Sequence, residues 1–152
     1  MVPMTAISGL SLEDMTVGME STISHTVTDA DVRAFADISG DHNPVHLDED
    51  FAQTTPFKGR IAHGAFTTSL ISAVLGTRLP GPGAILVDQS FRYRAPVRIG
   101  DTVTALVRVN EIDPARRRVT LATECLVGGT VVVDGITKVM VPARAAALAA
   151  AG

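Results

Sequence analysis

The densest run of reactive side chains in the sequence is Ser39-Gly40-Asp41-His42-Asn43-Pro44-Val45-His46-Leu47-Asp48. Three kinds of site suit it. Gly, Asp, Asn and Pro are the residues that turns use, so the segment reads first as an ordinary bend. His42 and His46 stand four apart with acids following, which raises a metal site, but two such histidines share a face only on a helix. Pro44 biases Asn43 toward extended backbone, making Asn43 a boundary or cap and leaving His42 outside any helix that begins at Pro44. The spacing then loses its meaning, and no metal site is expected. The third reading pairs Asp41 with His46 across a proline-stiffened bend. A carboxylate and an imidazole held on one water molecule can remove a proton from it and supply or orient another.

Such a pair needs elements to hold it. Glu20 to Val27 suits a strand, and Thr28-Asp29-Ala30-Asp31 resembles a capping box with a shorter acid, so a helix is predicted to start there. Val32, Phe35, Ala36 and Ile38 supply its apolar stripe, and Gly40 its stop. Asp41 to Leu47 is then a structured loop, after which Asp48 caps a short turn of helix carrying Phe51 and Ala52. From His63 to Leu79 the apolar residues Phe66, Leu70, Ile71, Ala73, Val74 and Leu75 do not keep to one face, which predicts a buried helix. Beyond the Pro-Gly turn Leu79 to Gly83 the period becomes two. Val103, Ala105, Val107 and Val109 alternate with Thr102, Thr104, Arg108 and Asn110; Val119, Leu121, Thr123 and Cys125 alternate with Thr120, Ala122 and Glu124. Turns fall at Ile99-Gly100-Asp101, Asp113-Pro114-Ala115 and Gly128-Gly129. With Ala84 to Tyr93 and Thr130 to Met140 this makes four consecutive strands, and the early strand is a fifth. Helices first and an antiparallel meander later indicate an α+β domain whose sheet leaves edges and a second face for another copy to cover.

Composition narrows the field. The chain has 152 residues, 46% of them hydrophobic, which suits one domain and one core. It is expected over residues 1–142, with an Ala-rich tail at 143–152 that orders only if it docks. Thirteen Lys and Arg against sixteen Asp and Glu leave a formal charge of −3, so nucleic acid is not an expected partner. No stretch reaches the roughly 18 apolar residues of a membrane span, and Met1 to Thr16 lacks the basic and apolar blocks of a secretory signal. A single cysteine, Cys125, suits a reducing, cytoplasmic setting in which it serves as a small buried hydrophobe.

The run continues as Phe51-Ala52-Gln53-Thr54-Thr55-Pro56-Phe57-Lys58-Gly59-Arg60-Ile61-Ala62-His63-Gly64. The stretch Ser39 to Gly64, with S-G-D-H-N-P-V-H-L-D, then F-A, then I-A-H-G, closely resembles the MaoC-like hydratases, particularly the (R)-specific enoyl-CoA hydratases. The likeness extends more loosely through Leu86 to Phe91 and Pro96 to Asp101, covering nearly the whole domain. The resemblance implies a hot dog fold, a curved antiparallel sheet around a long central helix, as a homodimer with sites at the subunit interface. It places water activation and proton handling on Asp41 and His46, and donation of a backbone N–H to the thioester oxygen on Gly64. It also puts Ser72 in the active site, while Asn43 holds the loop or orients Asp41 and His63 serves as support.

The expected reaction is hydration of trans-2-enoyl-CoA to (R)-3-hydroxyacyl-CoA with no metal or redox cofactor. Dehydration of an (R)-3-hydroxyacyl group on acyl carrier protein, thioester hydrolysis, and non-catalytic binding of an acyl thioester are the alternatives. Lys58, Arg60, Arg92, Arg94 and Arg98 each read first as solvated surface charge, with contact to the phosphates of coenzyme A as the alternative, and none is assigned to the site. The sequence departs from the family pattern at Ala65, where a larger Met is common, and at Glu49, where a Pro is frequent. Ala65 bears on the acyl pocket.

Overall fold

Period-two alternation in the second half of the chain becomes a sheet. A computed structural model describes residues 9–144 and, among them, five antiparallel strands: β1 (Glu20–Thr26), β2 (Ile85–Tyr93), β3 (Thr102–Asp113), β4 (Arg118–Val127) and β5 (Thr130–Met140). Their spatial order is β1-β3-β4-β5-β2, so β1 and β2 are the edges. The inward positions of β3 and β4 are those the alternation names: Val103, Ala105, Val107, Val109, Val119, Leu121, Thr123 and Cys125 are all buried. The register sets Ala105 opposite Cys125 and Val107 opposite Thr123, one face of small and β-branched residues. The Ala-rich tail expected at 143–152 lies outside the described residues from 145 onward.

Among the described residues four α-helices precede or interrupt the strands: α1 (Asp29–Ser39), α2 (Pro44–Leu47), α3 (Glu49–Gln53) and α4 (Gly64–Thr77). The capping box at α1 is complete, since the Thr28 hydroxyl accepts from the Asp31 N–H at 3.1 Å and the Asp31 carboxylate accepts from the Thr28 N–H at 2.9 Å. Gly40 ends the helix at φ 79°, the left-handed conformation glycine adopts without strain. Ile38 does not belong to the apolar stripe; it is 86% exposed. At 100° per residue it lies about 120° round the helix from Val32, beyond the arc that Ala36 and Phe35 share with Val32.

α4 lies against the sheet, with Ile71, Val74 and Leu75 joining Val103, Ala105, Val107, Leu121 and Cys125 in one core. The sheet wraps this helix in the hot dog arrangement. The Cys125 thiol reaches the Thr67 carbonyl at 3.6 Å, and burial pushes its pKa up to about 12, so it packs as a thiol and not as a nucleophile. The helix is not buried all round. Ala65, Ser69, Ser72 and Gly76 form an exposed line of small residues on its far side. The sheet has a similar open surface at its β2 edge, where Ile85, Leu86 and Val87 are 57%, 54% and 47% exposed.

Candidate active site

The segment after α1 is more ordered than a loop. Asn43 caps α2, its side-chain oxygen accepting from the Val45 N–H at 3.1 Å, and Pro44 sits at the first helical position, where its missing N–H costs nothing. The turn therefore holds one helical turn, Pro44–Leu47, and His42 lies outside it. His42 bends back to Asp37 at 3.2 Å, away from His46. Asp48 caps α3 by accepting from the Phe51 N–H at 3.1 Å. Upstream of Asn43, its own N–H donates to Asp41 Oδ1 at 3.1 Å and the Asp41 N–H donates to the Ser39 hydroxyl at 3.1 Å. Asn43 thus holds the turn by its side chain and orients Asp41 by its main chain.

His46 points inward and is 7% exposed. Its Nδ1 lies 2.7 Å from the Ile61 carbonyl, which can only accept, so Nδ1 carries the proton and Nε2 keeps a free lone pair in the neutral ring. Burial pushes the His46 pKa below the ordinary histidine value. The Ile61 carbonyl and the Asp41 carboxylate pull the other way without overcoming it, and the neighbouring His63 adds to the depression. His63 is 1% exposed and stacks on His46 with ring centroids 3.8 Å apart. Its Nε2–H donates to the Asp41 main-chain carbonyl at 2.9 Å, and Phe35 covers its ring at 4.8 Å. One buried imidazole therefore touches both members of the pair read from the sequence. The exposed Asp41 carboxylate, His46 and His63 bring ligand-type atoms within 4.8 Å of one another. That spacing would admit a cation.

Gly64 opens α4, where the first-turn amides have no partner within the helix and the dipole favours negative charge. It lines a cavity of about 390 Å³ with Phe57, Ala62, Thr67, Tyr93 and Val97, mostly apolar walls. The Tyr93 ring closes on Gly64 so nearly that a Cβ there would lie 2.7 Å from it. Neither Asp41 nor His46 lines that cavity. Asp41 and His46 instead meet His63, the residue before Gly64.

Residues 14–129 match the family described as MaoC like domain. The chain belongs to the MaoC-like family. This MaoC-like domain is 54% identical over 132 residues to the (R)-specific enoyl-CoA hydratase of Rhodospirillum rubrum, across 87% of this chain and 92% of that protein. It is 53% identical over 135 residues to the 3-hydroxybutyryl-CoA dehydratase of Methylorubrum extorquens, across 89% and 86% of the two chains. An unliganded R-hydratase, PhaJ1 from Pseudomonas aeruginosa, superposes with a TM-score of 0.84 at 40% identity, covering 90% of this chain and 88% of that one.

Within the MaoC-like domain, Asp41, Asn43, His46, His63 and Gly64 fall in one neighbourhood. Ser72 does not: it stands exposed on α4, eight residues and about 12 Å beyond Gly64. Several cations are already engaged. Arg94 pairs with Asp134 at 3.1 Å, Arg98 donates to the Phe57 carbonyl at 2.6 Å, and Arg60 is turned toward Asp29 and the main chain of His46. His25, which has no motif around it in the sequence, is half-buried on β1, bonded to Asp31 at 2.7 Å and edge-on to Phe66. The Ile61 carbonyl and the Tyr93 ring are site components that the sequence does not announce. A main-chain acceptor has no side-chain signature, and Tyr93 meets Gly64 only through the fold.

Proposed function

We propose that this MaoC-like domain catalyses the reversible hydration of trans-2-enoyl-CoA to (R)-3-hydroxyacyl-CoA. The observation that carries this reading is that the Asp41 carboxylate lies within 4.8 Å of a ring nitrogen of His46, whose Nε2 is bare, and that both residues meet His63, the residue preceding the first-turn amide of Gly64. A water spanning the two acceptors turns a lone pair toward C3 of the enoyl thioester. As the C3–O bond forms, the C2=C3 electrons move to the thioester oxygen, and the Gly64 N–H meets the developing enolate. The water proton passes to Asp41 or His46 and is returned to C2; dehydration is the same path reversed. No step calls for a metal or a redox cofactor. His63 is a supporting residue, and the two relatives' names describe this chemistry in its two directions.

Incubation with crotonyl-CoA tests the proposal: the conjugated enoyl absorbance is lost and chiral analysis yields the (R)-3-hydroxyacyl product. Free thiol released with the absorbance intact would mean thioester hydrolysis, and binding without turnover would mean a non-catalytic binder. Crotonyl-loaded acyl carrier protein, run in parallel, decides the carrier.

The pH profile has a defined sign. His46 must be neutral to accept from water, and its pKa is depressed by burial, so the acid limb of kcat/KM falls below the ordinary histidine value of about 6.5. His42 is shifted the opposite way, raised by Asp37 and the Gly40 carbonyl. A limb above the ordinary value that disappears in His42→Gln would assign the titration to the wrong histidine.

The open edge of β2 and the uncovered small-residue face of α4 favour a homodimer, β2 pairing with its counterpart across a two-fold axis. Ser72 joins a site only once a second surface covers that face. Sedimentation velocity should give a dimer, and Val87→Lys should shift it to monomer; a wild-type protein that is monomeric at micromolar concentration would refute the arrangement. Among the described residues no helix is long and apolar enough to cross a membrane. A cytoplasmic setting suits the free, buried Cys125.

A further inference from the structure

Among the described residues, Arg60 is the one charged side chain that bonds to the main chain of His46. The Nε–H and one Nη2–H on the same edge of its guanidinium donate to the His46 carbonyl and to Asp29 Oδ1, each at 2.7 Å. That carbonyl is among those a four-residue helix leaves without an internal partner. The Arg60 side chain is only 14% exposed, and a charge so withdrawn from water needs its bonds made. The Arg60 N–H in turn donates to Glu49 Oε2 at 3.2 Å. Glu49, the position where the family pattern favours Pro, therefore anchors the main chain of Arg60. The next residue completes the lacing, with the Ile61 N–H donating to the Val45 carbonyl at 3.3 Å and the Ile61 carbonyl receiving the His46 ring.

We propose that Arg60, braced by Asp29 and Glu49, is a positioning residue that sets the aim of the His46 imidazole through its main chain, and is not a receptor for coenzyme A phosphate. This rests on the hydratase reading. The fork ties α2 to the start of α1, while the adjacent residue holds the ring, so loosening Arg60 lets both supports of His46 drift together. A misplacement on the order of 1 Å at the reacting atoms is worth up to about 10²-fold in rate.

The test compares crotonyl-CoA with crotonyl-pantetheine, which lacks the nucleotide phosphates. In Arg60→Met, kcat should fall about tenfold on both substrates with KM nearly unchanged. Arg60→Lys should recover part of the loss, because one ammonium cannot present two parallel N–H groups. Asp29→Asn should show a smaller fall in kcat of the same kind, and it carries the test if Arg60→Met does not fold. A raised KM confined to crotonyl-CoA, with pantetheine turnover intact, would make Arg60 a phosphate ligand and overturn the proposal, as would unchanged kcat in Arg60→Met or, should that variant not fold, in Asp29→Asn. Wild-type turnover of crotonyl-CoA, measured first, separates failure of this inference from failure of the hydratase reading.

Discussion

Asp41→Asn and His46→Gln are each expected to lower kcat for crotonyl-CoA hydration by about 10²- to 10⁴-fold, the range for losing a positioned acid or base. Both replacements spare the fold. In the first, the amide keeps an Oδ1 to accept the Asn43 N–H; in the second, the amide can still donate to the Ile61 carbonyl, so thermal unfolding should move little. What each removes is a base: an amide oxygen can accept a hydrogen bond from the attacking water but cannot take its proton. On the proposed mechanism the two groups share a single water and act as a unit, so the double variant should lose little more than the worse single one. Strict multiplication of the two losses would mean that they work on separate steps. Wild-type kcat in either variant would remove that residue from the mechanism.

The parts of the fold that were legible in the sequence are those written in local side-chain chemistry. Thr28 and Asp31 announce the start of α1 because a capping box needs only residues three apart, and Gly40 announces its end because few other residues tolerate φ 79°. The inward faces of β3 and β4 follow from alternation alone. Asp41 and His46 were legible through the family pattern and the stiffness that Pro44 lends the bend. The bonds that aim them were not, because their acceptors are main-chain carbonyls of Ile61, Asp41 and His46, which no side-chain pattern reports. Arg60 illustrates the difficulty: as a sequence element it is a surface cation, and only the crossing of α1 with the segment before α4 turns it inward. Ser72 shows the converse. Its motif position is clear, but one copy of the chain leaves it in solvent, since none of the described residues covers that face of α4.

Gly64→Pro should cost about 10²- to 10³-fold in kcat beyond the effect of Gly64→Ala, the usual range for deleting one oxyanion donor. The comparison isolates the amide, because both substitutions add a Cβ that would lie 2.7 Å from the Tyr93 ring and push that exposed ring aside. Only proline also removes the N–H. The backbone accommodates it: Gly64 is the first residue of α4, where proline is favoured, and His63 sits at φ −58° and ψ 136°, the extended conformation that a residue preceding proline adopts. Helix α4 should therefore survive, and unfolding midpoints of the two variants should agree. Gly64→Ala alone should act mainly on KM and on the preference among acyl lengths, because Tyr93 and this glycine line the same cavity. Equal kcat for the alanine and proline variants would show that the enolate oxygen is met by some other donor, and the position of the thioester in the cavity would have to be redrawn around it.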